Sequence, residues 1–569
     1  MTAGRDLPPD YPLRMLRGTV ARGLAIEGHL LTAGERETIA RWQCLPEDAA
    51  HVFARLLSRR KQPVRLDRFH APGVTDLAGS LAHLVENGLV DMGDSIPPKL
   101  WAEAMTVAEL RRVCKTRGLP TSGRRHELLD RLGGPLRPDT VELVHTRHRG
   151  LFRRSIRAGL QAHSGELTKA ILAEIGVRKP AVYAPTGGMG RWASRRPMLT
   201  YEAAARTRTS LRDRMPDLAV VDTLLASPAV RAQIPELRYR FSGKRQIVGY
   251  LKDALRAAEK DHHPGEVAAR YQALLACSVR EAPEVAHRLA LCLDRAGDST
   301  EALSTCEAHA GAEAARIKLS RTGRRIARKL DVETALPVPP EVAIDRTVEI
   351  PYGLDGAAWI GPDGRRIRVE EACTDWLRAR GRRAIYAENS FWTSLFALIY
   401  ERAFFAPVAG MWPAPLMSHP MDLGMDGFVQ RRHAAIGICE EALDTEGPEA
   451  VISKAWARRH GQRIAGMHWG TWAVDDFVSV ARGLGTAGLK VVLAPFLSDW
   501  RSAARGLPDL LLPPGPKVCV NGDALGEGTV FVEIKGPSDT LRDAQLWWIA
   551  YLRSHNIPAE VWRLRPHQG

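Results

Sequence analysis

Gly506-Leu-Pro-Asp-Leu-Leu-Leu512, a turn-rich insert, and Val530-Phe-Val-Glu-Ile-Lys-Gly536 are the residues on which the reading of this chain turns. Two short apolar runs separated by turn residues predict two strands joined by a connection. Side chains alternate along a strand, so Glu533 and Lys535, two positions apart, share one face. If the strand that begins at Asp509 packs beside the second, its carboxylate reaches the same face. Two carboxylates and an ammonium on an otherwise apolar sheet are costly to bury without a task. The set has the make-up used in metal-dependent phosphodiester hydrolysis.

Working outward, Leu489 to Phe496 predicts a further apolar strand, followed by Asp499, Trp500 and Arg501. Ser538, Asp539 and Thr540 predict the cap of a helix running to about Arg553, with Thr540 and Asp543 spaced as a capping box. Ala559 to Leu564 predicts a last strand. Upstream, Arg382 to Asn389 leads into Ser390 to Phe405, whose apolar residues follow a helical period. Glu388 stands at the start of that helix, where the dipole favours a carboxylate; spacing alone makes it a cap.

The chain has 569 residues, enough for several domains. A formal charge of +15 directs attention to a polyanionic partner, nucleic acid before membrane. No continuous apolar run of transmembrane length stands out, and Met1 to Val20 lacks the apolar core of a secretory signal, so an intracellular location with DNA is expected, in cytoplasm, nucleoid or nucleus. The eight cysteines, at 44, 114, 277, 292, 306, 373, 439 and 519, include no Cys-x-x-Cys pair. Zinc-finger and disulfide scaffolds are therefore not expected.

Six segments are expected: an N-terminal helical domain over 1–99, a small DNA-binding element over 100–135, a basic helical region over 136–260, helical repeats over 261–334, a proline-rich linker over 335–352, and an α/β domain over 353–569. Thr106-Val-Ala-Glu109 is a capping box opening a short helix, and a second follows from about Gly123 to Leu132. Val107, Leu110, Val113, Leu119, Leu128 and Leu132 would pack the pair, leaving Arg111, Arg112, Lys115, Arg117, Arg124 and Arg125 outside. This element resembles the SAP module, which docks on DNA backbones.

Basic residues thicken beyond it, at Arg147, Arg149, Arg153, Arg154 and Arg157, at Arg195 and Arg196, and at Arg238, Arg240, Lys244 and Arg245, with Trp192, Tyr239 and Phe241 interleaved. Such residues neutralise phosphates and offer faces for unpaired bases. Arg153, Arg154, Arg238, Lys244 and Arg245 join Arg117 and Arg124 as the candidate DNA contacts. Gly187-Gly-Met-Gly190 lacks the Lys-Ser or Lys-Thr of a phosphate loop and predicts a plain turn. Glu266 to Ala310 carries small and apolar residues at helical spacing, in the manner of tetratricopeptide-type hairpins.

Gly506-Leu-Pro-Asp-Leu-Leu-Leu512 with Val532-Glu-Ile-Lys-Gly-Pro-Ser-Asp-Thr-Leu-Arg-Asp-Ala-Gln-Leu-Trp547 resembles the VRR-NUC form of the PD-(D/E)XK nuclease core. Together with the SAP-like element and the helical repeats, the chain resembles the Fanconi-associated nuclease family, in a form without the ubiquitin-binding zinc finger. The resemblance implies a predominantly α-helical N-terminal and middle region ending in an α/β nuclease domain. It implies a 5′-flap endonuclease and 5′-to-3′ exonuclease acting on branched, 5′-phosphorylated DNA in interstrand crosslink repair. Repair proteins would dock on the repeats.

Carried over by position, Asp509, Glu533 and Glu388 would hold Mg²⁺ or Mn²⁺ with the carbonyl of Ile534, Lys535 would orient or deprotonate the attacking water, Gln545 would support the site, and Arg501 would hold the substrate phosphate. A basic pocket between about Arg195 and Lys260 would anchor the 5′ phosphate. The competing expectation from another class is a non-catalytic scaffold that binds branched DNA through the SAP-like and repeat elements.

Overall fold

The computed structural model describes residues 8–566 apart from 60, 134–135, 137–141, 161–178, 185, 187–191, 193, 197, 200, 204–217, 232–242, 278–281, 311–316, 356–357, 362, 389, 413–416, 426, 517–518, 521–522 and 525–527. The chain divides into two compact units, one of residues 1–195 with 412–417 and one of residues 196–411 with 418–569.

The first unit is helical as its amphipathic periodicity predicts, with helices Tyr11–Glu27, Ala33–Gln43, Glu47–Ser58, Leu77–Glu86 and Arg149–Leu160. Trp42, Phe53 and Phe152 meet edge-on or tilted at its centre. It also holds a small sheet that the periodicity does not reveal. Leu143–Thr146 lies between Val64–Arg65 and Val90–Met92, antiparallel to both. The 101–132 element is thus inserted between two paired strands.

Within that insertion, helices Val107–Thr116 and Arg125–Leu132 close on Leu110, Cys114, Leu128 and Leu132, with Met105 beneath. The predicted capping box is present: Thr106 Oγ1 accepts from Glu109 N at 3.2 Å and Glu109 Oε2 accepts from Thr106 N at 2.6 Å. Val107, expected inside, is exposed, and Met105 and Cys114 fill the core instead.

In the second unit, the helices Pro264–Cys277, Ala282–Ala296, Ser299–His309 and Ile317–Leu330 stack as successive hairpins. Tyr271, Leu274, Val285, Ala286, Leu289 and Ala302 form their shared seam.

The same unit contains a five-stranded sheet in the order Arg346–Ile350, Ala559–Pro566, Val530–Lys535, Leu510–Leu512 and Ile385–Tyr386. The first three strands run parallel to one another; Leu510–Leu512 is antiparallel to both of its neighbours. All six residues of Val530–Lys535 are buried, as a central strand requires. One face packs Leu510, Leu512, Val530, Val532 and Ile534 on Ala372, Cys373, Trp376 and Leu377 of helix Val369–Arg378. On the other, Phe531 stacks on Trp392 of helix Ser390–Ile399, with ring centroids 5.2 Å apart and planes 11° from parallel.

Three expectations are corrected here. Leu489 to Phe496 is no strand; it is the second half of helix Val474–Ser498, which breaks at Gly485 (φ +67°). Leu489, Val492, Leu493 and Phe496 are its buried stripe, a helical spacing that a short apolar run disguises. This helix is long and apolar enough to pass for a membrane span by composition; it is kinked and buries one stripe of its surface. The place of the missing strand is taken by Ile385–Tyr386, on the outer side of the Pro-Asp strand. Next, the linker expected over 335–352 ends earlier, because Arg346–Ile350 pairs with Trp562 to Pro566 as an edge strand. Finally, Ser538 to Thr540 cap nothing helical: Asp539 Oδ2 turns back to accept from Gly536 N at 3.0 Å, and the helix starts at Asp543.

Candidate active site

The register explains why the charged residues converge. Leu510 lies across from Val532, so one step further Asp509 lies across from Glu533. On the outer side, Asp509 O accepts from Ala387 N at 2.9 Å, which carries Glu388 past the end of the sheet beside Asp509. Asp509 Oδ2 also accepts from Ile534 N at 2.9 Å, bringing the backbone of Ile534 to the site.

Glu533 is fully buried. Its Oε1 lies 2.7 Å from Lys535 Nζ and accepts from Gln545 Nε2, while Gln545 Oε1 accepts from Lys535 Nζ at 3.3 Å and from Arg542 N at 2.9 Å. Gln545 thus closes the first turn of helix Asp543–Ser554 and bridges the acid and the ammonium with one amide. Glu533 Oε2 accepts no hydrogen bond from a donor among the described residues. Burial, then repulsion from Asp509, pushes Glu533 up to about 8 despite the neighbouring lysine. Burial likewise pushes Asp509 up to about 7, with Glu370 and Glu388 adding repulsion against the opposing pull of the Ile534 N–H and Lys535. Two adjacent carboxylates that resist ionising together, one with an idle oxygen, are a fitting place for a hard divalent cation. Among the described residues no three His, Cys, Asp or Glu side chains are grouped closely enough to hold a metal ion by themselves, the set of Asp509, Glu533 and Glu388 included.

Glu388 is exposed and its Oε2 accepts from the Tyr386 hydroxyl at 2.5 Å. Tyr386 escaped the sequence reading, although its spacing of two from Glu388 in an extended segment was the available signal. Glu370, in the first turn of helix Val369–Arg378, also escaped it and acts on Asp509 through charge. Burial, with Asp509 nearby, pushes the Cys373 thiol up, so it is a core residue and no nucleophile.

The remaining candidates scatter. Arg501 falls in the short helix Trp500–Ala503. Arg117 and Arg124 are exposed on the small helical element, with Arg117 Nη1 also donating to Leu132 O at 3.1 Å. Arg125, expected outside, turns inward to donate to Ala102 O at 2.7 Å. Arg154 Nη1 meets Glu35 Oε1 at 2.8 Å, and Arg195 meets the same carboxylate. Burial would raise Glu35, but Arg195, Thr32 N–H and Arg154 together hold it down at about 2, so Arg154 and Arg195 serve a half-buried ionic knot. Arg153 is half-buried, Arg245 likewise, and Lys244 is buried. Arg238, with Arg240, Tyr239, Phe241 and the Gly187 to Gly190 turn, lies outside the described residues.

Residues 444–566 match the VRR-NUC domain model. The chain carries a VRR-NUC domain. It contains Asp509, Glu533, Lys535 and Gln545, while the strands Arg346–Ile350 and Ile385–Tyr386 and Glu388 add to it from upstream. Residues 101–132 match the SAP domain model. The VRR-NUC chain is similar to proteins named Fanconi-associated nuclease 1 homolog: 24% identical to that of Oryza sativa subsp. japonica and 21% to that of Arabidopsis thaliana, each over 95% of this chain. It spans only 61% and 65% of those two proteins. The homolog of Pseudomonas aeruginosa is 29% identical over 35% of this chain and 34% of its own length. Among solved structures, the chain shares its fold with paFAN1 bound to 1nt 5′flap DNA with gap, at TM-score 0.83 and 22% identity, covering 99% of this chain and 100% of that one.

Proposed function

We propose that this chain is a divalent-metal-dependent DNA nuclease that cuts branched DNA near 5′ flaps, trims from 5′ ends, and serves interstrand crosslink repair. The observation that carries the reading is the paired, buried Asp509 and Glu533 held against Lys535 by Gln545. The names of the relatives, the flap DNA in the structure of similar fold, and the SAP match support the choice of substrate. Exposed Arg111, Arg112, Lys115, Arg117 and Arg124 on the SAP element would hold the phosphate backbone, which positions a protein without reading sequence.

Mg²⁺ or Mn²⁺ would be held by Asp509, Glu533, the Ile534 carbonyl and Glu388. When bound, such an ion lowers the pKa of water and stabilises charge on the scissile phosphate. Lys535 presents its Nζ beside that oxygen cluster, where as the ammonium it orients the attacking water and gives a proton, and as the neutral amine it takes one. Gln545 keeps the Lys535 ammonium and Glu533 carboxylate in register, and Tyr386 steadies Glu388 through its hydroxyl.

The test is Mg²⁺-dependent cleavage of an end-labelled 5′-flap duplex by the wild type, Asp509→Ala and Lys535→Ala. Cutting by the wild type alone is the expected result, and equal cutting by all three overturns the assignment. Tight binding of the branched substrate without cutting in either metal would instead favour a scaffold.

A further inference from the structure

Three consecutive residues at the start of helix Asp543–Ser554 each touch a different part of the molecule. Gln545 bridges Glu533 and Lys535. Ala544 sits against Gly506, which opens the Pro-Asp segment: a Cβ on Gly506 would stand 2.5 Å from the Ala544 Cβ, and Gly506 has φ +83°. Asp543, buried except for 13% of its side chain, has its Oδ1 2.5 Å from Nη1 of Arg321 on the last repeat helix, Ile317–Leu330, an ion pair by distance that lacks hydrogen-bond geometry. One helical turn is therefore wedged between the metal-binding strands and the repeats.

Arg321 differs from Arg324, Arg325 and Lys329 of the same helix. Arg324 donates to Leu336 O at 3.0 Å just beyond the repeats, while Arg325 and Lys329 meet Asp294 within them at 2.8 and 2.9 Å. Arg321 reaches across to the turn that carries Gln545. The contact is backed by Thr322, whose hydroxyl lies 3.2 Å from His287 Nε2 of helix Ala282–Ala296, which fixes the repeat helix on its neighbour.

We propose that Arg321 is a positioning residue of the metal site: through Asp543 it seats the 542–545 turn, and the turn sets Gln545 on Glu533 and Lys535 and supports Gly506 ahead of Asp509. The inference rests on the reading of Asp509 and Glu533 as metal ligands. It makes the helical repeats part of the catalytic apparatus, so that a displacement of the last repeat helix is felt as a change in metal affinity.

The experiment uses the full chain and four variants: Arg321→Ala, Arg321→Lys, Asp543→Ala and the Arg321→Ala/Asp543→Ala double. Mn²⁺ affinity is measured by calorimetry without DNA, the half-saturating Mg²⁺ is measured in flap cleavage, and thermal unfolding is followed in parallel. A partly exposed ion pair predicts a weakening of Mn²⁺ binding by about two- to fivefold in either alanine variant. The half-saturating Mg²⁺ should rise by the same factor, and Arg321→Lys should recover part of the loss. Because the two side chains act as one contact, the double variant should be no worse than the singles. Unchanged Mn²⁺ affinity in Arg321→Ala overturns the proposal, even if the melting temperature falls. Additive losses overturn it too, and a fall in cleavage with Mn²⁺ affinity unchanged would overturn it in favour of Arg321 as a phosphate contact. A wild type that neither cuts nor binds Mn²⁺ refutes the reading of the site itself.

Discussion

Loading the site with metal should expel protons, and the number follows from the buried pair. Burial places Asp509 at about 7 and Glu533 at about 8, against ordinary values of 3.8 and 4.5, with Glu370 and Glu388 repelling the first and Asp509 the second. The two protons belong to the pair as a whole. At pH 6 the metal-free protein therefore holds about two of them, at pH 7.5 about one, and above pH 9 almost none. The unfolded chain has shed both by pH 6. Since the folded values are raised, metal-free stability should fall as pH climbs from about 4.5 through 8, by up to about 1.4 kcal/mol per pH unit for each proton retained.

A divalent ion needs both carboxylates ionised, so its binding reverses that loss and releases what was held. Titrating MnCl₂ by calorimetry in two buffers of different ionisation heat counts the protons directly. About two should appear at pH 6 and near none above pH 9. Apparent affinity should steepen toward about two log units per pH unit on the acid side. Release of less than about half a proton at pH 6, or an affinity indifferent to pH, would refute the coupled pair.

Lys535→Met should lower flap cleavage by about 10² to 10⁴-fold and, since its charge holds Asp509 and Glu533 down, should move the pH at which Mn²⁺ binds upward in calorimetry; undiminished cleavage would remove Lys535 from the reaction. Phe531→Ala should cost about 3–5 kcal/mol in urea unfolding, since it empties the stack against Trp392 beneath the catalytic strand. Gly506→Ala should both destabilise the protein, by about 1–3 kcal/mol, and slow cleavage, since the new methyl meets the turn bearing Gln545. Pairing Arg117→Ala with Arg124→Ala should lower the slope of log affinity against log salt for duplex DNA by about two, read by fluorescence anisotropy; an unchanged slope would remove both from the interface.

The charged face was legible in the sequence because a strand alternates: Glu533 and Lys535 had to share a side, and an antiparallel neighbour had to bring Asp509 across from Glu533. What surrounds that face was harder. Leu489 to Phe496 is equally apolar as strand or helix over so few residues, and only its joining to Val474 decides the matter. Arg346–Ile350 alternates exposed and buried residues behind a run of prolines, which made an edge strand resemble a linker. The small sheet of the first unit uses strands of two to four residues, too short to leave a period. Side-chain partnerships were invisible throughout: nothing in the spacing tells that Arg154 and Arg195 converge on Glu35, or that Tyr386 reaches Glu388.

The placement of the SAP element between Val90–Met92 and Leu143–Thr146 makes it a cassette. Those strands pair with each other, so the insertion leaves and re-enters the sheet at neighbouring points, and its own core of Leu110, Cys114, Leu128 and Leu132 is closed on itself. Excising it and bridging Met92 to Leu143 with a short turn would remove a module without cutting the fabric that carries it. The stitches to undo include Arg65 Nη1 to both oxygens of Glu109 at 2.8 Å and Leu66 N to Glu142 O at 3.0 Å. A chain so shortened should keep the far-ultraviolet circular dichroism of the helices Tyr11–Glu27, Glu47–Ser58 and Arg149–Leu160 while losing affinity for duplex DNA.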